Sequence, residues 1–338
     1  MTATYLPSIV PPLRLPVLDI NFTAIDWQAP WLCHLNQLDY LSKAIKRLSG
    51  GNDKNEQQVD TLTNKDEPVD IIAKVLNTAL KQQSESLETL MLMTKPTSDN
   101  QAHPLKFVSQ SALPEGLGYE QFIGTTGNIP TRDNLHDLFN GSIWLTFPKT
   151  KALLNYYHML EIGKSINEQN NQKIRGRVRD TITVFDENGA ILVTTDPSIG
   201  EALINFDWQA SLVTPRDKWD NPKLYNKERP NKNTQAAVYI FGHALLEQLI
   251  QPRKSLCAHS VVINVEQDFF ALSTAERIRY LDNELANYMD NLLSKDTVTP
   301  LQLAPLPILG IPHFWSENAD PNFYDDKYVF RSGRQRKR

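Results

Sequence analysis

Cysteine is scarce in this chain of 338 residues: Cys33 and Cys257 are the two it has. Two cysteines cannot build a disulfide framework, and so low a count fits a reducing compartment. Long hydrophobic runs are missing as well. No stretch approaches the ~20 apolar residues that span a bilayer, and the greasiest, AAVYIFGHALL, has the length of a core helix or strand. The N-terminal residues MTATYLPSIVPPLRLPVLDI lack a basic region followed by an unbroken apolar stretch, so no secretory signal is expected and the protein reads as cytoplasmic. Positive charge is not in excess. A net charge of −4 argues against a surface that tracks nucleic acid as a whole. An internal repeat of about 20 to 50 residues, the mark of a solenoid, is also lacking.

What is present is the material of an ordinary folded protein. A chain this long can bury roughly 75% of the surface its unfolded form exposes, so it needs neither disulfide nor metal to fold. The expected organisation is one globular domain over residues 1–330 with an insertion at about 50–68, followed by a basic tail at 331–338. The insertion, GGNDKNEQQVDTLTNKDEP, has Val59 and Leu62 as its only aliphatic residues, too little apolar surface to offset the entropy of ordering it. Residues 95–104 and 216–235 are further polar breaks. The tail carries Arg331, Arg334, Arg336, Lys337 and Arg338. It is either a frayed terminus or a weak phosphate- or RNA-seeking arm, the one route to nucleic acid in the chain.

Helical spacing is the clearest pattern. Leu38, Leu41, Ile45 and Leu48 recur on one face, as do Ile72, Val75, Leu76 and Leu80. Ser273 and Glu276 form a capping box ahead of the stripe Ile278, Leu281, Leu285, Met289 and Leu292, which predicts a helix to about Leu293. A helix over about 133–147 should precede a second one starting near Pro148, a residue tolerated in a first turn. Strands are fewer. Residues 106–109 and 261–265 are candidates, and TITVFDENGAILVTT (Thr181–Thr195) reads as a hairpin turning at Asn188–Gly189. The expected class is α+β, mainly helical, with a small and mostly antiparallel sheet.

Five constellations carry residues capable of chemistry. In PTRDNLHDLFN, His136 and Asn140 are four apart and share a helix face, while Arg132 and Asp133 lie at its N-terminus, where an anion could be held. The bland reading is a capped helix with a hydrogen-bonded His136. In FGHALLEQLI, His243 and Glu247 again have the spacing that lets two side chains hold one metal or share a proton. The segment lacks the second histidine of an H-E-x-x-H zinc site, and an ordinary hydrogen-bonded pair is the alternative. Gly242 in that apolar run hints at a close backbone approach or a strand-to-helix junction. Third, Arg175, Arg177 and Arg179 alternate before Asp180. They read as a charged edge strand or a phosphate-seeking strip, with Asp180 a carboxylate that could face the histidines, and Asp186 and Glu187 as turn residues. Fourth, Cys257 and His259 would share one face of a strand, the buried-thiol reading being the commoner for such a cysteine. Fifth, residues 305–331 form a Pro- and aromatic-rich strap in which Asp325 and Asp326 could pair with arginines and His313 and Trp315 could line a pocket.

Six ordered blocks, PTRDNLHDLFN, WLTFPKTK, RDTITVFDENGA, FGHALLE, PLPILGIP and FYDDKYVFR, resemble the bacterial family known as domain of unknown function 3025. The resemblance runs from about Leu105 to Arg331. It departs at Leu135, where a Trp is expected, and at Cys257, where a Thr is expected, which weakens a thiol mechanism. It implies that the blocks rich in His, Asp and Arg are family hallmarks, and it brings no activity with it.

Two function classes follow. In one, His136, Asp137, Asp180, His243 and Glu247 converge on a catalytic pocket, around a divalent metal or with a His-activated water. Arg132, Asn140 and Arg179 would bind an anionic substrate, and hydrolysis of a phosphate or carboxylic ester is the default chemistry. In the other, the same residues form a structural hydrogen-bond network in a non-catalytic interaction protein.

Overall fold

A computed structural model describes residues 20–35, 38–48, 70–84, 104–167, 176–222, 233–295 and 297–333. The insertion at 50–68, residues 95–103, Arg175, residues 223–232 and the tail from 334 lie outside the described residues.

The described elements run, in chain order, α1 (Leu38–Leu48), α2 (Ile71–Ser84), β1 (Lys106–Ser109), α3 (Tyr119–Thr126), β2 (Asn128–Thr131), α4 (Leu135–Thr146), α5 (Pro148–Asn167), α6 (Arg177–Asn188), β3 (Gly189–Thr194), α7 (Pro197–Ile204), β4 (Ala236–Ile240), α8 (His243–Gln248), β5 (Cys257–Asn264), α9 (Thr274–Leu293) and β6 (Ala304–Pro307). The class is α+β and mainly helical. The larger sheet has the order β4-β3-β5-β6, antiparallel at β3–β4 and β5–β6 and parallel at β3–β5; β1 and β2 form a separate parallel pair. Strand β3 is central and buried along its whole length, as its unbroken AILV run requires of a strand covered on both faces. Buried apolar side chains from α1 to the C-terminal strap form one contiguous cluster.

The helical pair at 133–148 forms as its sequence suggests. Asn134 caps α4 by accepting from Asp137 N at 2.8 Å. Asp133 instead reaches across to α2 and accepts from Ile72 N at 2.8 Å. The first turn of α5 is capped in trans: Asp282 of α9 accepts from Lys149 N at 3.0 Å and Thr150 N at 2.9 Å.

The hairpin expected over 181–195 does not form. Its first arm is the C-terminal part of α6, and Asn188–Gly189 is the junction at which helix becomes strand. A type I′ turn needs positive φ at both turn residues, whereas Gly189 sits at φ −76°, ψ 149°. Thr181, Ile182 and Phe185 fall on one helical face and are buried. Burying Ile182 and Phe185 contributes roughly 1.5–3 kcal/mol each. That outweighs the few tenths that β-branched residues lose in a helix. The charged edge strand expected at 175–179 is overturned with it, since Arg177 and Arg179 open α6.

Two glycines make this junction. A Cβ on Gly189 would lie 2.3 Å from Phe185 O, and one on Gly242 would lie 2.5 Å from both Glu187 O and Gly189 N. The chain leaving β4 therefore runs against the end of α6, where Phe241 N and Gly242 N both donate to Gly189 O, at 2.9 and 2.8 Å. Close approach and strand-to-helix junction coincide at Gly242. The next residue, His243, begins α8 beside the last turn of α6.

Candidate metal centre

The site is assembled by α4, α6 and α8, with α5 behind them. His136 Nδ1 is 2.9 Å from Glu247 Oε2, and His136 Nε2 is 3.1 Å from His243 Nε2. His243 Nε2 is in turn 3.5 Å from Glu187 Oε2. One ligand atom from each of His136, Glu187 and His243 lies within 4.8 Å of the others. The other ring nitrogen of His243, Nδ1, faces Asp186 Oδ2 at 3.9 Å, too far for a hydrogen bond, and has no hydrogen-bond partner among the described residues.

The tautomers decide what this arrangement wants. Each Nδ1 faces a carboxylate, Glu247 for His136 and Asp186 for His243, and each is best served by carrying its proton there. The two Nε2 atoms then meet at 3.1 Å with neither carrying a proton, the rings edge-on with centroids 4.5 Å apart, a contact that a proton on His136 or a metal cation would relieve. If His243 Nε2 carried the proton instead, its buried Nδ1 would turn a bare lone pair toward Asp186. An imidazolium is disfavoured, because burial, with Lys151 and His136 adding to it, pushes His243 down to about 4. Two nitrogens bound at ~2.0–2.1 Å to a tetrahedral zinc lie about 3.3 Å apart, a little more than the 3.1 Å found here. A carboxylate behind each ligating histidine is the usual support of such a site.

Charge points the same way. Asp186 and Glu187 occupy the last turn of α6, the end at which the helix dipole disfavours anions. With Glu120, Asp137 and Glu247 they set five carboxylates against Lys151 and Arg132, among the described residues around the cavity. Burial works to raise the Asp186 carboxyl, but the Lys151 ammonium at 2.6 Å and His243 beside it hold it below the usual range. Glu187 is raised, first by burial and then by the neighbouring Asp186 charge. A divalent cation would lower both costs.

The cluster opens into a cavity of about 320 Å³ whose walls include Tyr119, Glu120, Arg132, Asn140, Glu187 and His243. Lys151 Nζ donates to Asn140 Oδ1 at 3.0 Å as well as to Asp186, and Asn140 Nδ2 donates to Tyr119 OH at 2.9 Å. Arg132 is clamped by Asp137, with Nε donating to Oδ2 at 3.0 Å and Nη2 to Oδ1 at 2.9 Å. Its side chain remains 56% exposed, with Nε and Nη2 taken by Asp137.

Of the residues that the sequence brings forward, His136, His243 and Glu247 meet directly. Asp137, Arg132 and Asn140 line the same cavity, Asp137 as the partner of Arg132 and Asn140 as a link from Lys151 to Tyr119. Asp180 and Arg179 sit earlier on α6 and do not line it. The sequence reading misses the role of Glu187 and Asp186, taken for turn residues, and of Lys151. The apolar spacing of Ile182 and Phe185 was the signal that could have placed those carboxylates on a helix. Cys257 and His259 lie on β5, and His313 and Trp315 in the strap, away from this cavity. In the strap Asp326 pairs with Lys254, at 3.3 Å, rather than with an arginine.

No helix among the described residues is long and apolar enough to cross a membrane. No curated protein and no solved structure matches the chain. A family model does, over residues 105–334, and the chain belongs to that family, described as Protein of unknown function (DUF3025). The match takes in every residue of the metal-centre cluster.

Proposed function

We propose that His136, Glu187 and His243 hold one divalent metal ion, with zinc the best fit to two imidazoles and a carboxylate, and that the protein is a cytoplasmic metal-dependent hydrolase. The observation that carries this reading is the 3.1 Å approach of the two Nε2 atoms, each ring having a carboxylate at its opposite nitrogen. Three protein ligands would leave room for a further ligand, and a metal held there would supply a nucleophilic water at neutral pH and polarise a bound ester oxygen. The chain's own residues do the rest. Glu247 and Asp186 orient the two imidazoles, Lys151 fixes Asp186, and the exposed Arg132 side chain meets an anionic group on a phosphate or carboxylic ester.

Metal content of the purified, untagged protein tests the reading, with His136→Ala and His243→Ala variants alongside. The expected result is about one equivalent of zinc, as a single set of three ligands dictates, lost in both variants. Zinc-dependent hydrolysis of nitrophenyl phosphate or carboxylate esters should disappear with it. No bound metal in the parent, after zinc loading and dialysis, would sink the metal reading. Should the variants then also be less stable, the cluster is a structural hydrogen-bond network.

A further inference from the structure

A second cavity, of about 440 Å³, adjoins the first, lined by Leu135, Glu247, Gln248, Ile250, Gln251, Pro252 and Arg253. The two share a wall. Leu135 and His136 are neighbours on α4, one facing each cavity, and Glu247 lines the second cavity while its carboxylate holds His136 of the first. That wall is solvent-accessible: the His136 side chain is 33% exposed and that of Glu247 41%. A molecule bound at the metal centre can therefore lie across the His136–Glu247 pair into the neighbouring groove.

The lining of the groove selects what lies there. Leu135, Ile250 and Pro252 offer apolar surface, and Gln248 and Gln251 are exposed amides at its edge. Arg253 is exposed and makes no ion pair among the described residues. It contrasts with Arg132, whose guanidinium is already clamped by Asp137. A guanidinium without an ion pair of its own, in a concave site where Leu135, Ile250 and Pro252 alternate with polar side chains, is suited to a carboxylate on a partly apolar tail.

Building on the metal-centre reading, we infer that this groove is a substrate subsite for a carboxylate-terminated tail, with Arg253 as its specificity-determining residue. The reacting group would sit at the metal side of the His136–Glu247 wall and the tail on the other. Binding energy from a remote tail of this kind is what an enzyme uses to position the reacting bond.

Calorimetric titration of zinc-loaded protein tests this without a known substrate. The probes are acetohydroxamate, which needs the metal alone, and alkyl hydroxamates of increasing chain length that end either in a carboxylate or in a methyl group. At one tail length the carboxylate-ended probe should bind about tenfold tighter than its methyl-ended counterpart, the equivalent of one favourable pairing of about 1.4 kcal/mol. Arg253→Gln should abolish that difference and leave acetohydroxamate binding unchanged. If acetohydroxamate binds but the tail end makes no difference at any length, or if the difference survives Arg253→Gln, the groove assignment is wrong and the metal centre stands. If acetohydroxamate fails to bind zinc-loaded protein, the metal-centre reading falls and takes this inference with it.

Discussion

Two polar clusters lie within this structure, and they treat their bonding groups in opposite ways. At the foot of α9, Arg277 is buried and every direction of its guanidinium is used: Nη1 donates to Asp220 Oδ2 at 3.0 Å, Nε to Leu272 O at 3.1 Å and Nη2 to Phe270 O. Asp282, one turn further along, accepts from two backbone amides and the Thr150 hydroxyl. At the candidate metal centre the bonding is left open. Two imidazole nitrogens face each other, a buried Nδ1 lacks a hydrogen bond, and carboxylates gather at the wrong end of a helix. A closed network fixes a fold, whereas an open one of equal polarity is costly until something enters it. The difference between them is therefore a guide to function that burial alone does not give.

The largest effect should come from breaking the closed cluster. Arg277→Met removes the guanidinium that faces Asp220, only 10% exposed at its side chain, and the donors to Leu272 O and Phe270 O. Chemical denaturation should show a loss of roughly 3–5 kcal/mol, the usual cost of removing one partner of a buried pair. Zinc binding by the remaining folded protein should be unchanged. A loss under about 1 kcal/mol would mean that the closed network is not what holds α9 in place.

Two buried histidines carry the same comparison into pH. His34 and His243 are both pushed to about 4, chiefly by burial. His34 is closed: its Nε2–H donates to Ile240 O at 2.8 Å, and the rings of Phe147 and Tyr239 pack around it. Its pKa is about 6.5 in the unfolded chain. Below that pH the unfolded state binds a proton that the folded state refuses. The stability is thus complete above pH 6.5 and falls as pH drops toward 4, by on the order of 3 kcal/mol in all. His34→Gln, which keeps an N–H donor, should flatten that part of the pH profile. An unchanged slope between pH 6.5 and 4 would show that His34 takes up its proton in the folded protein.

At the open cluster, Glu247→Gln is expected to leave metal-free stability nearly unchanged, since the Glu247 side chain is only half-buried, while weakening zinc binding about 10- to 100-fold through His136. Competition with a chromophoric chelator measures it. Wild-type affinity in this variant would remove Glu247 from the site.

The sequence made the closed parts easier to read than the open one. The capping box at Ser273 and the stripe of α9 are local patterns, complete within their own segment. So are the pairs His136–Asn140 and His243–Glu247, each four residues apart on a helix. Glu187 was hidden because its segment looks locally like a hairpin: β-branched residues precede Asn-Gly. What makes it helical is non-local, the burial of Ile182 and Phe185 and the backbone of Gly242 docking on the junction. The role of Lys151 is equally non-local. It depends on α5 lying alongside α4 and α6, and no spacing within WLTFPKTK announces that.

The smallest expected effect separates capping from positioning. Asn134 and Ser273 are both N-cap residues whose side chains accept from the third residue of the helix, Asp137 N at 2.8 Å and Glu276 N at 3.4 Å. Replacing either with Ala should cost about 1 kcal/mol of stability. Of these two helices, however, only α4 carries a proposed ligand, His136, in its first turn. Asn134→Ala frays the backbone at His136 and at the amide of Arg132, which Asp137 also holds at 2.6 Å. Its zinc affinity should drop about tenfold, at the low end for residues that support a metal ligand, while Ser273→Ala binds zinc like the parent. Equal zinc affinities in two equally destabilised variants would mean that His136 is held by Glu247 and packing alone, and that the cap of α4 serves the helix without serving the metal.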